Sequence, residues 1–130
     1  MAVVTAGAVV TTPIATSAER DPLAAYRWSS RLVVISAPEA GDAAARSQRA
    51  ILASAGSEVT GRDLLTVEAY GENAKAVAIR RRLGLPAGSF RAVLVGKDGE
   101  AKLVSVEPIP ASTLFSTIDA MPMRRDEMRR

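Results

Sequence analysis

The residues best suited to bind or transform another molecule are ten charged side chains spread over the chain. They are Arg31, Arg62, Asp63, Lys97, Asp98, Lys102, Asp119, Arg124, Arg125 and Glu127. Guanidinium and ammonium groups bind phosphate-like and carboxylate anions, but they also pair with Asp and Glu within a protein. These residues therefore form either a binding site for a ligand or partner, or a set of internal ion pairs.

Other kinds of chemistry are excluded by composition. The 130 residues include no cysteine and no histidine. Without thiols, neither disulfide exchange nor cysteine-based peroxide reduction is possible. Without imidazoles, the chain lacks the usual general base and the usual zinc ligands, and its serines lack a histidine to activate them. We therefore predict no catalytic residue, no metal site and no cofactor, and an enzyme that uses the charged residues remains the alternative.

The apolar segments predict the elements that must position these side chains. Arg31 to Ala37 is a continuous β-branched run, typical of a strand buried on both faces. Helices are predicted near 40–55 and 72–83, with Gly56 and Gly84 as C-terminal caps. Further strands are predicted at 62–69, 90–95 and 101–106, with a tight turn at 97–99, and a last helix at 110–121.

The predicted order β-α-β-α-β-β-α is that of an α/β, thioredoxin-like fold. It implies a four-stranded mixed sheet of order 4-3-1-2, with helices on both faces. One end of that sheet is here called the charged pole. It contains the beginnings of strands 1 and 2, the turn between strands 3 and 4, and the end of the last helix. The ten charged side chains fall on or beside these places.

Two interpretations of the charged pole remain open. In the structural one, Arg62 pairs with Asp119 or Asp63 and Lys97 caps the C-terminal carbonyls of the last helix. In the functional one, unpaired Arg and Lys side chains bind a small anionic ligand. The run Arg80-Arg81-Arg82 fans around its helix and is expected to be solvated.

Several segments resemble one known family, a bacterial thioredoxin-like domain of unknown function related to the DUDES domain of secreted sushi-repeat and matrix proteins. The resemblance covers residues 23–129. It rests on Tyr26-Arg27-Trp28, Arg31, Arg62-Asp63-Leu64, Leu94 to Gly99 with Lys102, and Ile118 to Arg125 with Glu127-Met128. The resemblance implies a thioredoxin-like fold and frequent export, and no established activity. It supports a non-redox binding or interaction module.

The two ends of the chain differ in charge. Residues 2–18 contain no charged side chain, and Thr16-Ser17-Ala18 is typical of a signal-peptide cleavage site. We expect a leader at 1–22, either a signal-peptide remnant of a periplasmic or extracellular protein or a disordered segment of a cytoplasmic one. A domain at 23–123 follows. The segment 124–130 holds four Arg, Asp126 and Glu127, which contributes +2 to the net charge of +3, and is expected to be a basic tail.

The partner is not specified by the sequence, although protein and small anionic ligands both fit. Tyr26 and Trp28 precede the first strand and are expected to cover the edge of the core, with a role as partner anchors as the alternative. Met121, Met123 and Met128 are suited to an adaptable contact surface. Nucleic acid is not expected, because the chain has only five aromatic residues and they form no extended pattern of stacking aromatics interleaved with basic residues. The apolar part of the leader is too short and interrupted for a membrane span.

Overall fold

The computed structural model describes residues 21–130. The predicted leader, except for its last two residues, lies outside the described residues. A one-turn 3-10 helix at Ala24–Tyr26 precedes the main elements. These are β1 Arg31–Ala37, α1 Ala43–Ser54, α2 Gly56–Gly61, β2 Leu64–Tyr70, α3 Ala74–Leu83, β3 Arg91–Val95, β4 Ala101–Ser105, α4 Ala111–Asp119 and α5 Pro122–Arg129.

The four strands form one mixed sheet in the order β2-β1-β3-β4, which confirms the predicted order read from the opposite edge. Strand β1 is parallel to β2, with Arg31 opposite Leu64. It is antiparallel to β3, with Leu32 opposite Val95, and β3 is antiparallel to β4. The α/β class and the mixed four-stranded sheet are therefore as expected.

The core has one layer on each face of the sheet, and all seven residues of the central strand β1 are therefore buried. On one face, Val33 and Ile35 share a cluster with Leu114 and Ile118 of α4. On the other, Leu32 and Val34 share a cluster with residues of α3. Helices cover both faces of the sheet, as predicted. Polar side chains gather at the ends of the strands.

Local signals set several helix ends. Asp42 caps α1 by accepting a hydrogen bond from the Ala45 N–H at 3.0 Å, and Asn73 caps α3 in the same way through Ala76 at 2.9 Å. Gly84 ends α3 in the left-handed conformation, with φ of 70°, as predicted. Gly56 does not act as a cap; it begins α2, whose Val59 packs against the core.

The end of the chain contains a helix that the sequence did not indicate. The backbone of Met121 is extended, and Pro122 occupies the first turn of α5, where its missing N–H costs nothing. Most of the segment expected to be a basic tail, residues 124–129, lies in this helix. None of its residues is buried, so its position depends on polar contacts.

The expectation that Arg80 to Arg82 are solvated was wrong for two of the three residues. Arg80 is buried and donates to the Gly71 carbonyl at 2.6 Å. Arg82 is half-buried and donates to the Gly99 carbonyl at 2.6 Å. Only Arg81 is exposed, because Arg80 and Arg82 each reach a backbone carbonyl outside the helix.

Within residues 21–130, no helix has the length and apolar character needed to cross a membrane.

Candidate functional site

Arg31 lies at the centre of the charged pole. Although it is the first residue of β1, its side chain is fully buried. Its Nη1 donates to the Arg62 carbonyl at 2.9 Å, and its two terminal nitrogens contact the two carboxylate oxygens of Glu127, each at 3.2 Å. This two-pronged ion pair joins the beginning of the sheet to α5, and it compensates a charge that would otherwise be costly to bury.

Lys97, in the turn between β3 and β4, supplies a second cation to the same carboxylate. Its Nζ lies 2.8 Å from Glu127 Oε2 and 2.9 Å from Asp63 Oδ2. Burial disfavours the charged amine, but the hydrogen bonds to Glu127 and Asp63 outweigh burial and raise the pKa of Lys97. Lys97 therefore bonds carboxylates, and the expectation that it caps helix carbonyls was wrong.

Glu127 is held ionised by these two cations. Burial alone would raise the pKa of its carboxyl group, but the hydrogen bonds from Arg31 and Lys97 have the larger combined effect. They lower the pKa of Glu127 to about 2. The contact is thus maintained in its charged form throughout the neutral range.

A second cluster of ion pairs, besides the one around Glu127, forms around Asp119 at the end of α4. Arg62 contacts its two oxygens at 3.0 and 2.8 Å, as the structural interpretation predicted, and Arg124 approaches at 3.2 Å. The hydrogen bond from Arg62 is the main reason that the pKa of Asp119 is lowered. The Arg62 guanidinium also lies 4.4 Å from the ring centroid of Phe115, within the range of a cation–π contact.

The clusters around Glu127 and Asp119 form one connected ion-pair network. Arg124 links them through a 3.6 Å contact with Glu127, and Glu58 joins through Arg62 at 2.9 Å. The members are the cations Arg31, Arg62, Lys97 and Arg124 and the carboxylates Glu58, Asp63, Asp119 and Glu127. Four positive and four negative charges cancel, so the network as a whole is neutral.

Three of the predicted site residues lie outside this network. Lys102 pairs with Asp98 at 2.8 Å, four residues before it along the hairpin, and both side chains are about one-third exposed. Hydrogen bonds from Lys102 and the backbone outweigh burial and lower the pKa of Asp98. Arg125 is exposed and makes no ion pair with any residue between 21 and 130.

Beside the network lies a cavity of about 400 Å³, here called the Trp28 cavity. Its lining comprises Trp28, Arg31, Gly96, Lys97, Asp98, Lys102, Met121, Pro122 and Met123. It thus combines an apolar wall from two distant segments with the charged side chains of the β3–β4 turn. A volume of this size is at the lower end of that of small-molecule sites.

Trp28 lines this cavity and has an unusual backbone conformation. Its φ is +72°, which is rare for a bulky residue, and its N–H donates to the Lys97 carbonyl at 2.6 Å. The side chain is 63% exposed. The expectation that Trp28 covers the edge of the core was therefore wrong, although Tyr26 does pack against the core.

Gly96 belongs to the lining of the cavity for a steric reason. A Cβ atom at this position would lie 2.8 Å from Lys102 Cε and 3.0 Å from Asp98 Oδ1, so a larger residue would shift the side chains of Lys102 and Asp98, which also line the cavity. In the sequence, this glycine belongs only to the segment that predicts a tight turn. Pro122 and Glu58 were also missed as contributors to the pole, because neither lies in a local pattern that indicates a site.

Residues 22–127 match the family model described as "Domain of unknown function (DUF4174)". The chain therefore belongs to this family, and the match includes both the ion-pair network and the residues that line the Trp28 cavity. No curated protein and no solved structure matches the chain.

Proposed function

We propose that this protein is a non-redox binding or interaction module of thioredoxin-like type, and that it binds its partner in the Trp28 cavity. The strand order and the crossover through α1 support the thioredoxin-like description. The lack of any cysteine removes the chemistry of the redox members of that fold. What remains to be assigned is a surface suited to recognition.

The observation that carries the proposal is the exposed indole of Trp28 beside a formed cavity. A left-handed backbone at a bulky residue costs on the order of 1–3 kcal/mol and is found mainly at functional sites. Exposed Trp residues in concave, partly apolar surroundings are the side chains that contribute most to binding energy. Met121 and Met123 add adaptable apolar surface to the lining of the same cavity.

The alternative, an enzyme or anion-binding protein that uses the ion-pair network directly, has less support. Each of the four cations in the network already contacts a carboxylate at 3.2 Å or less. Asp63, Asp119 and Arg62 do not line the Trp28 cavity. A small anion would have to displace a carboxylate of the protein itself, so we assign the network to holding the pole together.

A thermal-shift screen of small molecules and peptides on three forms of the protein separates these possibilities. Trp28→Ala should retain the melting temperature of the wild type, since the side chain is mostly exposed, and should lose the shifts produced by ligands. Arg62→Ala should melt at a lower temperature, because Asp119 loses its two-pronged partner, and should still respond to ligands. Ligands that stabilise Trp28→Ala as much as the wild type would contradict the assignment to the cavity.

Export and kinship with the DUDES domain are further proposals. They are supported by the uncharged stretch 2–18, the small residues before Glu19 and the motifs quoted above. Expression of the full chain in a bacterial host tests export. A periplasmic product shortened near Ala18 is expected by mass spectrometry, and an uncleaved cytoplasmic product would contradict it.

A further inference from the structure

The apolar part of the Trp28 cavity suits a flat or branched hydrocarbon group. The lining includes Trp28 and the segment Met121, Pro122 and Met123. Thioethers and aromatic rings attract one another at contact distance, and none of these groups offers a charge. This half of the cavity therefore favours an apolar body of the size of one aromatic side chain.

The polar part of the cavity suits an anionic oxygen. Three cationic side chains, Arg31, Lys97 and Lys102, line it, against one carboxylate, Asp98. Lys97 is committed to two carboxylates. The Lys102–Asp98 pair is partly exposed, and such pairs contribute little to stability, so Lys102 is available to contact a ligand.

Arg31 provides a second, independent indication. Its side chain is 1% exposed, yet its Nε has no hydrogen-bond partner among residues 21–130. A buried N–H without an acceptor is destabilising by about 1–3 kcal/mol. An oxygen atom placed in the adjoining cavity is the kind of group that would remove this cost.

From these observations, and building on the binding role proposed above, we infer that the Trp28 cavity binds an apolar carboxylate. The apolar body packs between Trp28 and the methionines, and the carboxylate is received by Lys102 and by Arg31 Nε, the guanidinium nitrogen that the ion pair with Glu127 leaves without an acceptor, so this ion pair stays in place. A single negative charge fits better than a phosphate, because Asp98 and the nearby Glu127 would repel a second one. The carboxylate belongs either to a free organic acid or to the C-terminus of a peptide that ends in an apolar residue.

Trp28 is the sole tryptophan of the chain, so the tryptophan fluorescence of the full-length protein, excited selectively over its two tyrosines, reports on this site alone. We would titrate it with 3-phenylpropionate, its uncharged amide, phenethylamine and inorganic phosphate. The acid should bind about tenfold more tightly than the amide, since charge-assisted hydrogen bonds are roughly twice as strong as neutral ones. Acetylated peptides ending in Phe, with a free or an amidated C-terminus, distinguish the two sources of the carboxylate.

Lys102→Gln should remove most of the advantage of the acid over the amide without changing the melting temperature. Lys75→Gln, an equally simple change at an exposed lysine of α3, should have no effect. Equal binding of acid and amide would overturn the inference and leave the cavity as a binding site. A preference for phosphate or for the amine, or no response to any probe, would overturn it as well, and the library screen on Trp28→Ala would then decide the broader proposal independently.

Discussion

A buried guanidinium at the first position of a central strand is an unusual choice of residue. Arg31 is tolerated there because Glu127, which lies 96 residues further along the chain, supplies a carboxylate with matching geometry. Removing one partner of a buried ion pair is strongly destabilising, whereas replacing both with apolar groups often is not. The stability of this pole should therefore depend on single residues of α5.

Glu127→Gln should lower the free energy of unfolding near neutral pH by about 3 kcal/mol. The pKa of this carboxyl falls from its ordinary value of 4.5 to about 2, and a tenfold change in proton affinity corresponds to about 1.4 kcal/mol. Between these two values the unfolded chain binds a proton that the folded chain does not bind. The contribution is therefore complete above the ordinary pKa and is lost as the pH falls toward about 2.

Urea unfolding of the wild type and the variant near neutral pH and at about pH 2.5 measures this effect. The difference between the two proteins should shrink on acidification. Glu107→Gln is the matched control, since Glu107 is exposed and pairs with no described residue, and it should change little. A difference that stays constant with pH would show that Glu127 does not act through its charge.

At the scale of elements, the β3–β4 turn links the two parts of the candidate site. It carries Lys97 to the network, and Asp98 and Gly96 to the Trp28 cavity. Its closing residue, Gly99, has a φ of +85°, and a Cβ there would lie 2.8 Å from Arg27 Nε. The backbone conformation therefore favours glycine at this position, and an added methyl group would also displace the Arg27 side chain.

Gly99→Ala should destabilise the protein by about 1–2 kcal/mol through the left-handed backbone alone. Moving Arg27 should also disturb the neighbouring segment that holds Trp28, so that its fluorescence spectrum shifts. Gly88→Ala is the control, because nothing lies within 4 Å of the added methyl group and its φ is not positive. Equal melting temperatures for the two variants would contradict this account of the turn.

For the molecule as a whole, the C-terminal helix acts as a cover for the beginning of the sheet. Helix α5 has no buried residue, so hydrophobic burial alone does not hold it. Its attachment comes from Glu127 on Arg31 and Lys97, and from Arg124 on Asp119 and the Gly61 carbonyl. Because Met121 to Met123 line the cavity, the position of α5 also determines the shape of the binding site.

A chain that ends at Met121 should lose stability, because Arg31 is left buried without its carboxylate. Adding the substitution Arg31→Met to the shortened chain should restore a large part of the loss, since no unpaired charge then remains in the core. Thermal unfolding of the full and the shortened chain, each with and without this substitution, measures the coupling as a double-mutant cycle. A shortened chain as stable as the full one would contradict a role for α5 in compensating Arg31.

Much of the fold could be predicted from the sequence because its signals are local. The uninterrupted apolar run gave the bounds of β1, the glycine after Leu83 marked the end of α3, and the order of elements predicted the strand order. The sheet topology then placed Arg62 and Asp119, which are 57 residues apart, at the same end of the sheet, where they pair.

By itself, the sequence determined which chemistry is impossible. A chain without thiols or imidazoles cannot carry out disulfide exchange or cysteine-based peroxide reduction, or use histidine as a base, in any fold. The sequence also indicated which charged residues meet at one end of the sheet. Only the tertiary structure decided that these charges neutralise one another, that Arg31 and Arg80 are buried, that α5 forms, and that Trp28 faces a cavity. Pairing, burial and cavity shape depend on contacts between residues far apart in the chain, and no local pattern of residue types specifies those contacts.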